Sequence, residues 1–435
     1  MKRSSRVPRA RSPGAIESLH RVIMASHLRA NKHGSLARLK VKYYAQPVYQ
    51  LLILHQRRHR RERIKLTTRQ LFTPLHLGSI EIPNRIIMAP LTRMRAGPNN
   101  VPTALNAEYY AQRASAGLII SEGTAISAYA HGYPAAPGIY TEDQIAGWRV
   151  VTDAVRERGG RIVMQIGHNG RNSHSSLRPD GSVPIAPSAI PPTIPALTSS
   201  FQQVPAEVPR ALETREIANI VDEFRRAALN AMEAGFDGVE LQGANGHLIE
   251  EFLEDGTNQR TDRYGGSKEN RARFLLDVVC ELCLAIGADR LGVRLSPFGQ
   301  YGGIHDSKPR DLFNFVIREL SMRDIAYLHL IEARGSEIGL TDTLHADAPN
   351  NAELFRSMYS GPLLSAAAYT PDSAALAIEQ KHADAIAFGR LFIANPDLVG
   401  RIKANCPLNP ADRATFYGGG EHGYTDYKTS VEVAA

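Results

Sequence analysis

Residues 213–244 read ETREIANIVDEFRRAALNAMEAGFDGVELQGA and contain one predicted helix followed by one predicted strand. Apolar side chains recur at helical spacing as far as Gly235, a pattern typical of an amphipathic helix that ends at a glycine. The run GVELQGA (238–244) is rich in apolar residues, as expected for a parallel strand covered on both faces. A helix–strand unit of this kind indicates the repeat from which the fold is built.

Seven other short apolar runs resemble the strand of this unit. Longer amphipathic segments such as GWRVVTDAVRERGG (147–160) separate most of them. Eight such units between residues 71 and 427 predict a single (β/α)8 TIM barrel rather than a doubly wound sheet, with a short tail at 428–435. The seven runs are IIMAP (86–90), LIISEGT (118–124), RIVMQIGH (161–168), LGVRLSP (291–297), AYLHLIEA (326–333), PLLSAAA (362–368) and AIAFGRLF (385–392).

Two long segments interrupt the alternation. Residues 171–210 are rich in Pro and Ser and follow the third predicted strand, and residues 245–275 follow the fourth. Loops that follow barrel strands lie on the face where barrel enzymes place their sites. Both segments are therefore predicted to shape a pocket.

Charge is divided unevenly along the chain. Residues 1–70 carry 18 Lys and Arg against two Glu, a net charge of +16, whereas the remaining residues carry 33 basic and 42 acidic side chains, a net charge of −9. The basic segment suits a disordered tail, translation from a misassigned start codon, a targeting peptide or a nucleic-acid-binding arm. It lacks an aromatic-interleaved basic platform and zinc-ligand spacing, so we expect no nucleic-acid partner.

Composition narrows the class of protein further. Hydrophobic residues make up 43% of the chain, but no apolar run approaches the roughly 20 residues needed to span a bilayer. Three cysteines are too few for a disulfide scaffold and indicate a reducing compartment, so we expect a cytoplasmic protein with no membrane partner. Cys280 and Cys283 form a C-x-x-C inside a predicted helix, either as two small core residues or as a redox or half-metal motif.

The chemistry-bearing residues cluster at the predicted strand ends. No Walker, Rossmann or H-E-x-x-H motif is present, and His168 and His174 lack a third partner, so no metal site is predicted. Amide donors, a cation and a hydroxyl, without a strong base or nucleophile, suit an anionic cofactor that performs the chemistry itself. The strand-end residues are Pro90, Thr92, Glu122, Gly123, Gln165, His168, Gln242, Asn245, Arg294, Gly389 and Arg390.

Several long segments resemble the old yellow enzyme family of FMN-dependent ene-reductases. They include LFTPLHLGSIEIPNRIIMAPLTRMRA (71–96), EYYAQRASAGLIISEGT (108–124), NQRTDRYGGSKENRARFLLDVV (258–279), FGRLFIANPDLVGRI (388–402) and TFYGGGEHGYTDY (415–427). The resemblance covers roughly residues 71–427. It implies FMN as cofactor, NADH or NADPH as reductant and a small electrophilic substrate.

The resemblance also implies flavin contacts. Thr92 bonds a flavin carbonyl, Gln165 contacts the pyrimidine edge, and Arg294 stabilises the anionic reduced flavin. Ala367 and Ala368 stand in the phosphate loop where the family usually has Gly and Asn, so their methyl groups are expected to tune phosphate affinity. Backbone and phosphate contacts are expected from Ala89, Pro90, Gly123, Gly389 and Arg390.

The substrate-binding positions depart from the family pattern of a histidine, an Asn or His, and a tyrosine. Here they are Gln242, Asn245 and His247. Gln242 and Asn245 are expected to bond the substrate oxygen, and either His247 or water to protonate the product. Gly167, where the family often has a bulky residue, is expected to enlarge the pocket. Tyr133 and Tyr424 are the other expected pocket residues.

These residues predict a two-step reaction at one site, with hydride passing from NAD(P)H to flavin and then to an α,β-unsaturated carbonyl, maleimide, nitro compound or nitrate ester. The altered Gln242 and His247 leave open a flavin-binding barrel that has become an isomerase or a specialised biosynthetic reductase. A degenerate, non-catalytic barrel is a further alternative. A monomer or a homodimer is expected.

Overall fold

The computed structural model describes residues 68–335 and 343–431. Of the basic segment predicted at residues 1–70, all but the last three residues lie outside the described part. Within the described residues, the first regular element is a 3₁₀ turn at Arg69–Phe72. At the other end, Ser430 donates a hydrogen bond to Asp397, and Arg401 donates one to the carbonyl of Lys428, so the chain is still attached to the barrel past residue 427.

Eight parallel strands form a closed barrel, which confirms the predicted (β/α)8 fold. Each strand pairs with the next, and the last pairs with the first through Ile386 opposite Ile86. All eight predicted apolar runs contain one barrel strand. The strands are β1 (Ile86–Met88), β2 (Leu118–Ile120), β3 (Ile162–Gly167), β4 (Gly238–Gly243), β5 (Leu291–Leu295), β6 (Tyr327–Ile331), β7 (Leu363–Ala366) and β8 (Ala385–Phe388).

Helices connect the strands and cover the barrel from outside. Their apolar faces, such as Phe224, Ala228 and Ala231 on the helix before β4, are fully buried. The helices are α1 (Ala104–Ala111), α2 (Glu142–Glu157), α3 (Thr214–Glu233), α4 (Leu248–Leu253), α5 (Lys268–Ile286), α6 (Pro309–Ser321), α7 (Asn351–Phe355), α8 (Pro371–Glu379), α9 (Arg390–Ala394) and α10 (Leu398–Ala404). No helix in the described part of the chain is long and apolar enough to cross a membrane.

The C-x-x-C pair lies on α5. Cys280 is exposed and Cys283 is half-buried, and both are free thiols. The interpretation of both as small core residues is therefore wrong for Cys280, which faces solvent.

A second, smaller hydrophobic core lies inside the barrel, and a hairpin covers it at one end of the barrel. An antiparallel hairpin, Leu75–Leu77 with Ile80–Ile82, packs its apolar side chains against inward residues such as Ile87 and Leu118. The hairpin turns at Gly78 (φ +58°), where a Cβ would lie 2.1 Å from the carbonyl oxygen of Asp289, so this turn requires glycine. Asp289 precedes β5, so the hairpin blocks the amino-terminal end and leaves the carboxyl end for a site.

The Pro- and Ser-rich loop after β3 lies over that carboxyl end. It contains two short pairs, Ile185–Ala186 with Arg210–Ala211 and Ala196–Leu197 with Gln203–Val204. Its chain contacts the loop after β5, because Thr193 and Arg171 both donate to the carbonyl of Gly302, at 3.1 and 3.0 Å. A further two-residue strand, Thr124–Ala125, extends the rim beside β3.

Barrel packing predicts a sharp size limit at Gly292. A Cβ there would lie 2.2 Å from the Tyr327 ring, so Gly292→Ala is expected to lower the free energy of unfolding by about 1–3 kcal/mol through overpacking. Gly400→Ala is the matched control, because its Cβ meets nothing within 4 Å on helix α10 and should be neutral or stabilise by up to about 1 kcal/mol. Thermal denaturation measures both. Equal melting temperatures for the two variants would contradict this packing.

Candidate active site

A layer of polar side chains lies above the apolar interior of the barrel. Glu240 on β4 faces Gln165 on β3 in register, and Arg294 on β5 faces His329 on β6. The Nε2 of Gln165 donates to Glu240 Oε1 at 2.7 Å, and the Nδ1 of His329 lies 2.8 Å from Glu240 Oε2. Four neighbouring strands therefore contribute one buried polar layer, in which Gln165, Glu240 and His329 are joined by hydrogen bonds and Arg294 lies beside them.

Several polar atoms around this layer are buried without a partner among the described residues. They are Arg294 Nε, Gln242 Oε1, His247 Nδ1 and Glu122 Oε1. Leaving a buried donor or acceptor unpaired costs about 1–3 kcal/mol, so a cluster of them indicates a site built to receive a polar molecule. The described residues contain no group of three or more His, Cys, Asp and Glu side chains that could hold a metal ion. The unpaired set, with a cation, an acceptor oxygen and an imidazole, fits a heteroatom-rich planar cofactor.

Gln165 presents an acceptor oxygen to the site in this arrangement. Its amide nitrogen is held by Glu240, so the carbonyl Oε1 is the end left to face the site. A Cβ at Gly123 would lie 3.5 Å from that oxygen, and the glycine therefore leaves space beside it. A ring N–H is the group this oxygen suits.

The ends of β8, β1 and β2 come together at the rim. The backbone N–H of Ala89 donates to the carbonyl of Phe388 at 3.1 Å, and that of Arg93 donates to Glu122 Oε2 at 3.0 Å. These bonds hold the half-buried Pro90 and Thr92 between Gly123 on one side and Gly389 on the other, where a Cβ at Gly389 would touch Leu91 at 3.2 Å. The expected flavin contacts of β1, β2 and β8 are thus grouped.

The predicted phosphate loop has an unusual backbone. Ala367 and Ala368, directly after β7, have φ values of +82° and +59°. This left-handed region suits Gly and Asn, and an alanine there costs about 1–2 kcal/mol. Gly389 and Arg390 follow the neighbouring strand β8, so the two expected phosphate-binding segments lie on adjacent strands.

The loop after β4 is held by a buried carboxylate. Asn245 and Gly246 have positive φ values of +57° and +70°. The N–H of Asn245 donates to Ser296 Oγ at 2.9 Å, that of Gly246 donates to Glu250 Oε2 at 2.6 Å, and the Ser296 hydroxyl donates to the same Glu250. Burial raises the pKa of Glu250 above its ordinary value. Glu250 therefore fixes the backbone between Gln242 and His247.

Gln242, His247 and Gly167 lie next to one another. A Cβ at Gly167 would lie 3.2 Å from Gln242 Cβ and 3.9 Å from His247 Nδ1, so the glycine lets Gln242 and His247 approach the end of β3 closely, and a larger residue would press against Gln242. On the far side of the imidazole, Asn169 Nδ2 lies 3.5 Å from His247 Nε2. Enclosure, together with the nearby Arg294, lowers the pKa of His247 to about 4. The imidazole is therefore neutral at neutral pH in this environment.

The two expected pocket tyrosines are placed differently. Tyr133 is half-buried, and its hydroxyl lies 3.4 Å from that of Tyr301 in the loop after β5. Tyr424 is fully buried, stacks on Tyr109 with ring centroids 4.0 Å apart, and accepts a hydrogen bond from Asn106. Its contacts place Tyr424 in a packed cluster behind the end of β1 and apart from the residues grouped around Gly167.

Sequence reasoning missed Glu240, His329, Asn169 and Tyr301. Two of them could have been noticed in the sequence, because Glu240 and His329 interrupt apolar strand runs at buried positions. An ionisable side chain at such a position is rare and requires a polar partner. Asn169 and Tyr301 lie in loops, and nothing in their spacing links them to His247 or Tyr133.

The open end of the barrel contains an amide oxygen that can accept a hydrogen bond, a buried cation and small residues that leave the backbone accessible. This combination is typical of a flavin-dependent oxidoreductase. Residues 70–409 match the model of the NADH:flavin oxidoreductase / NADH oxidase family. The chain belongs to this family, of which the old yellow enzymes are members, and it is an FMN-dependent oxidoreductase that uses NADH or NADPH.

Relatives of known name agree with this assignment. The chain is 42% identical over 367 residues to 12-oxophytodienoate reductase 1 of Oryza sativa subsp. japonica, a match that covers 83% of this chain and 94% of the rice protein. It is 43% identical over 358 residues to a probable flavin mononucleotide-dependent alkene reductase of Leishmania infantum, covering 81% of this chain and 96% of that protein.

Solved structures are similar over the same region. Morphinone reductase in complex with tetrahydroNAD superposes with a TM-score of 0.77 at 46% identity, covering 82% of this chain and 97% of that one. The old yellow enzyme homologue from Zymomonas mobilis gives a TM-score of 0.79 at 43% identity, covering 82% and 99%.

The strained phosphate loop generates a prediction. Ala367→Gly should relieve the strain of the left-handed backbone in the folded protein, but it also raises the conformational entropy of the unfolded chain. The net effect should be a stabilisation of about 0.5–1 kcal/mol. Thermal unfolding and the dissociation constant of FMN measure the effect. Ala366→Gly, one residue earlier in strand β7, is the control and should destabilise. An Ala367→Gly protein with lower stability and weaker FMN binding would refute this account of the loop.

Proposed function

We propose that this oxidoreductase reduces alkenes activated by a carbonyl, imide or nitro group, and that the reductant and the alkene use one site in turn. When bound, FMN would supply the two-electron hydride chemistry that links NAD(P)H to the β-carbon of the alkene. The supporting observation is the set of buried atoms Gln242 Oε1, His247 Nδ1 and Arg294 Nε, which have no hydrogen-bond partner among the described residues. Gln242 and His247 lie side by side next to Gly167, where together they can meet a polar atom of a substrate.

The barrel residues hold the flavin. Arg294 supplies a fixed cation whose buried Nε has no partner in the described part of the chain, and Gln165 supplies an acceptor oxygen for a ring N–H. Thr92 and the backbone at Ala89, Pro90 and Gly123 line the ring. Ala367 and Ala368 after β7, with Gly389 and Arg390 after β8, hold the phosphate, in agreement with the general phosphate position after the last two strands of TIM barrels.

Gln242 and Asn245 bind the oxygen of the substrate. An amide N–H donates to a carbonyl or nitro oxygen and polarises it, but unlike a histidine it cannot become charged. Glu250 keeps Asn245 in place, because it binds the backbone N–H of Gly246 directly and that of Asn245 through Ser296. Tyr133 borders the same opening, with its hydroxyl against Tyr301.

Water supplies the proton in this proposal, and His247 acts as a neutral hydrogen-bond donor. If Asn169 donates to Nε2, the ring proton resides on Nδ1, the buried nitrogen on the side of Gly167 that has no partner among the described residues. A pKa of about 4 leaves almost no imidazolium at neutral pH, so the ring is a poor acid there.

The enzyme is proposed to be cytoplasmic and to act as a monomer or homodimer without a nucleic-acid partner. The mildly acidic barrel segment and the three free cysteines support this placement.

Steady-state kinetics test the proposed function. With NADPH varied against N-ethylmaleimide or 2-cyclohexenone, double-reciprocal plots should be parallel, because both substrates use the same place in turn. Intersecting lines would contradict the single site. If anaerobically reduced enzyme is reoxidised by neither compound, the isomerase or specialised-reductase alternative is favoured.

Gln242 and His247 are expected to respond differently to substitution. Gln242→Ala should slow reoxidation by 2-cyclohexenone about tenfold to a hundredfold, the cost of one or two lost hydrogen bonds of about 1.4 kcal/mol each. His247→Gln should change that rate less than about fivefold, and the wild-type rate should show no inflection from His247 between pH 6 and 9. Stopped-flow reoxidation of the flavin measures all three. A loss of more than a hundredfold in His247→Gln would make His247 the proton donor.

A further inference from the structure

We propose that Glu240 is a positioning residue that opposes Arg294 and thereby lowers the redox potential of the bound flavin. The inference rests on the proposed placement of FMN against Arg294. Neither the hydrogen bonds of the substrate loop nor the phosphate loop involve Glu240, so its effect can be separated from theirs.

Glu240 is enclosed on all sides. Its relative exposure is 0%, as is that of His329. Both carboxylate oxygens are bonded, one by Gln165 Nε2 at 2.7 Å and the other by His329 Nδ1 at 2.8 Å. The donors come from strands β3 and β6, so the carboxylate is fixed from two sides across the barrel.

The carboxylate carries a charge in this environment. Burial by itself raises the pKa of Glu240, whereas the hydrogen bonds from His329 and Gln165 and the charge of Arg294 lower it, and the net shift is downward. Burial lowers the pKa of His329, so the imidazole is neutral and gives its Nδ1–H to the carboxylate. The charged members of this layer are therefore one anion, Glu240, and one cation, Arg294.

The two charges act on the flavin in opposite directions. A flavin that has taken up two electrons and one proton carries one more negative charge than the oxidised form. Arg294, whose buried Nε meets no partner among the residues that the structure describes, stabilises that charge, and the carboxylate of Glu240 repels it through a medium of low dielectric constant. The carboxylate therefore makes the reduced flavin a stronger hydride donor than Arg294 alone would allow.

Glu240 also fixes which end of Gln165 meets the flavin. Because the amide nitrogen is held at 2.7 Å, the carbonyl oxygen faces the site. The substitution Glu240→Gln introduces a neutral amide of nearly the same size, which can itself donate or accept a hydrogen bond. It therefore removes the charge while preserving the shape of the layer.

The test is the two-electron midpoint potential of the FMN-loaded Glu240→Gln enzyme, measured by equilibration with a reference dye. The potential should become more positive, with the preference for reduced over oxidised FMN rising about tenfold, which corresponds to about 30 mV for a two-electron couple. Reduction by NADPH should become faster and reoxidation by 2-cyclohexenone slower. An unchanged potential in the folded, FMN-loaded variant would overturn the proposal.

Two controls separate charge from structure. Asp237→Asn removes a carboxylate just before the other end of β4, where Asp237 accepts from the N–H of Ile162, and should leave the potential unchanged. Glu240→Asp keeps the charge and should stay close to the wild-type potential. A shift in Glu240→Asp as large as that in Glu240→Gln would show that geometry, and not charge, sets the potential.

Two further variants cover the remaining outcomes. If Glu240→Gln does not retain FMN, the substitution His329→Leu is tested in its place. Loss of the Nδ1–H donor should raise the pKa of Glu240, so that the potential becomes positive more steeply than in the wild type as the pH falls. An unchanged dependence of the potential on pH would contradict the proposal. Arg294→Gln should shift the potential in the negative direction. If it does not, the placement of the flavin is wrong; if only Arg294→Gln has an effect, the role of Glu240 alone fails.

Discussion

Closure of the parallel barrel is the constraint on which the rest of the structure depends. Because all eight strands run the same way, their carboxyl ends meet at one rim, and residues separated by over 200 positions become neighbours. The hairpin at Leu75–Ile82 fills the opposite end with apolar side chains. An ionisable residue on an inward strand position can therefore be satisfied only by other inward residues or by a ligand at the open end. Glu240 is satisfied by the inward residues Gln165 and His329, whereas the Nε of Arg294 is available to a ligand.

The strands were predictable because burial on both faces leaves an unmistakable apolar run, and each of the eight runs holds a strand. Side-chain contacts between strands were harder to predict from the sequence. Pairing Glu240 with Gln165 and His329 requires the register between three strands, which a pattern of apolar residues does not specify. The left-handed backbone at Ala367 and Ala368 was equally hidden, since alanine gives no signal for positive φ. Family resemblance named the positions but not their conformation.

Residues outside regular elements show a second limit. The 3.5 Å contact between Asn169 and His247 joins two loops, and Tyr301 meets Tyr133 across 168 residues. Loop positions of this kind follow from tertiary packing and not from periodicity. Tyr424 shows the opposite limit. The sequence predicted it as a pocket residue, whereas in the structure its ring stacks on Tyr109 in a packed cluster next to the end of β1.

The departures at the substrate positions form one consistent set when their charges are considered together. A histidine at position 242 could gain a proton beside an anionic flavin, whereas Gln242 cannot, and His247 is kept neutral by enclosure and by Arg294. In the proposed arrangement, the pocket side of the flavin contains amides and an uncharged imidazole, whereas the charged groups of the layer, Arg294 and Glu240, lie within the barrel. That arrangement assigns control of the flavin's electron affinity to the barrel interior and recognition of the substrate oxygen to neutral donors, so that either can change without the other.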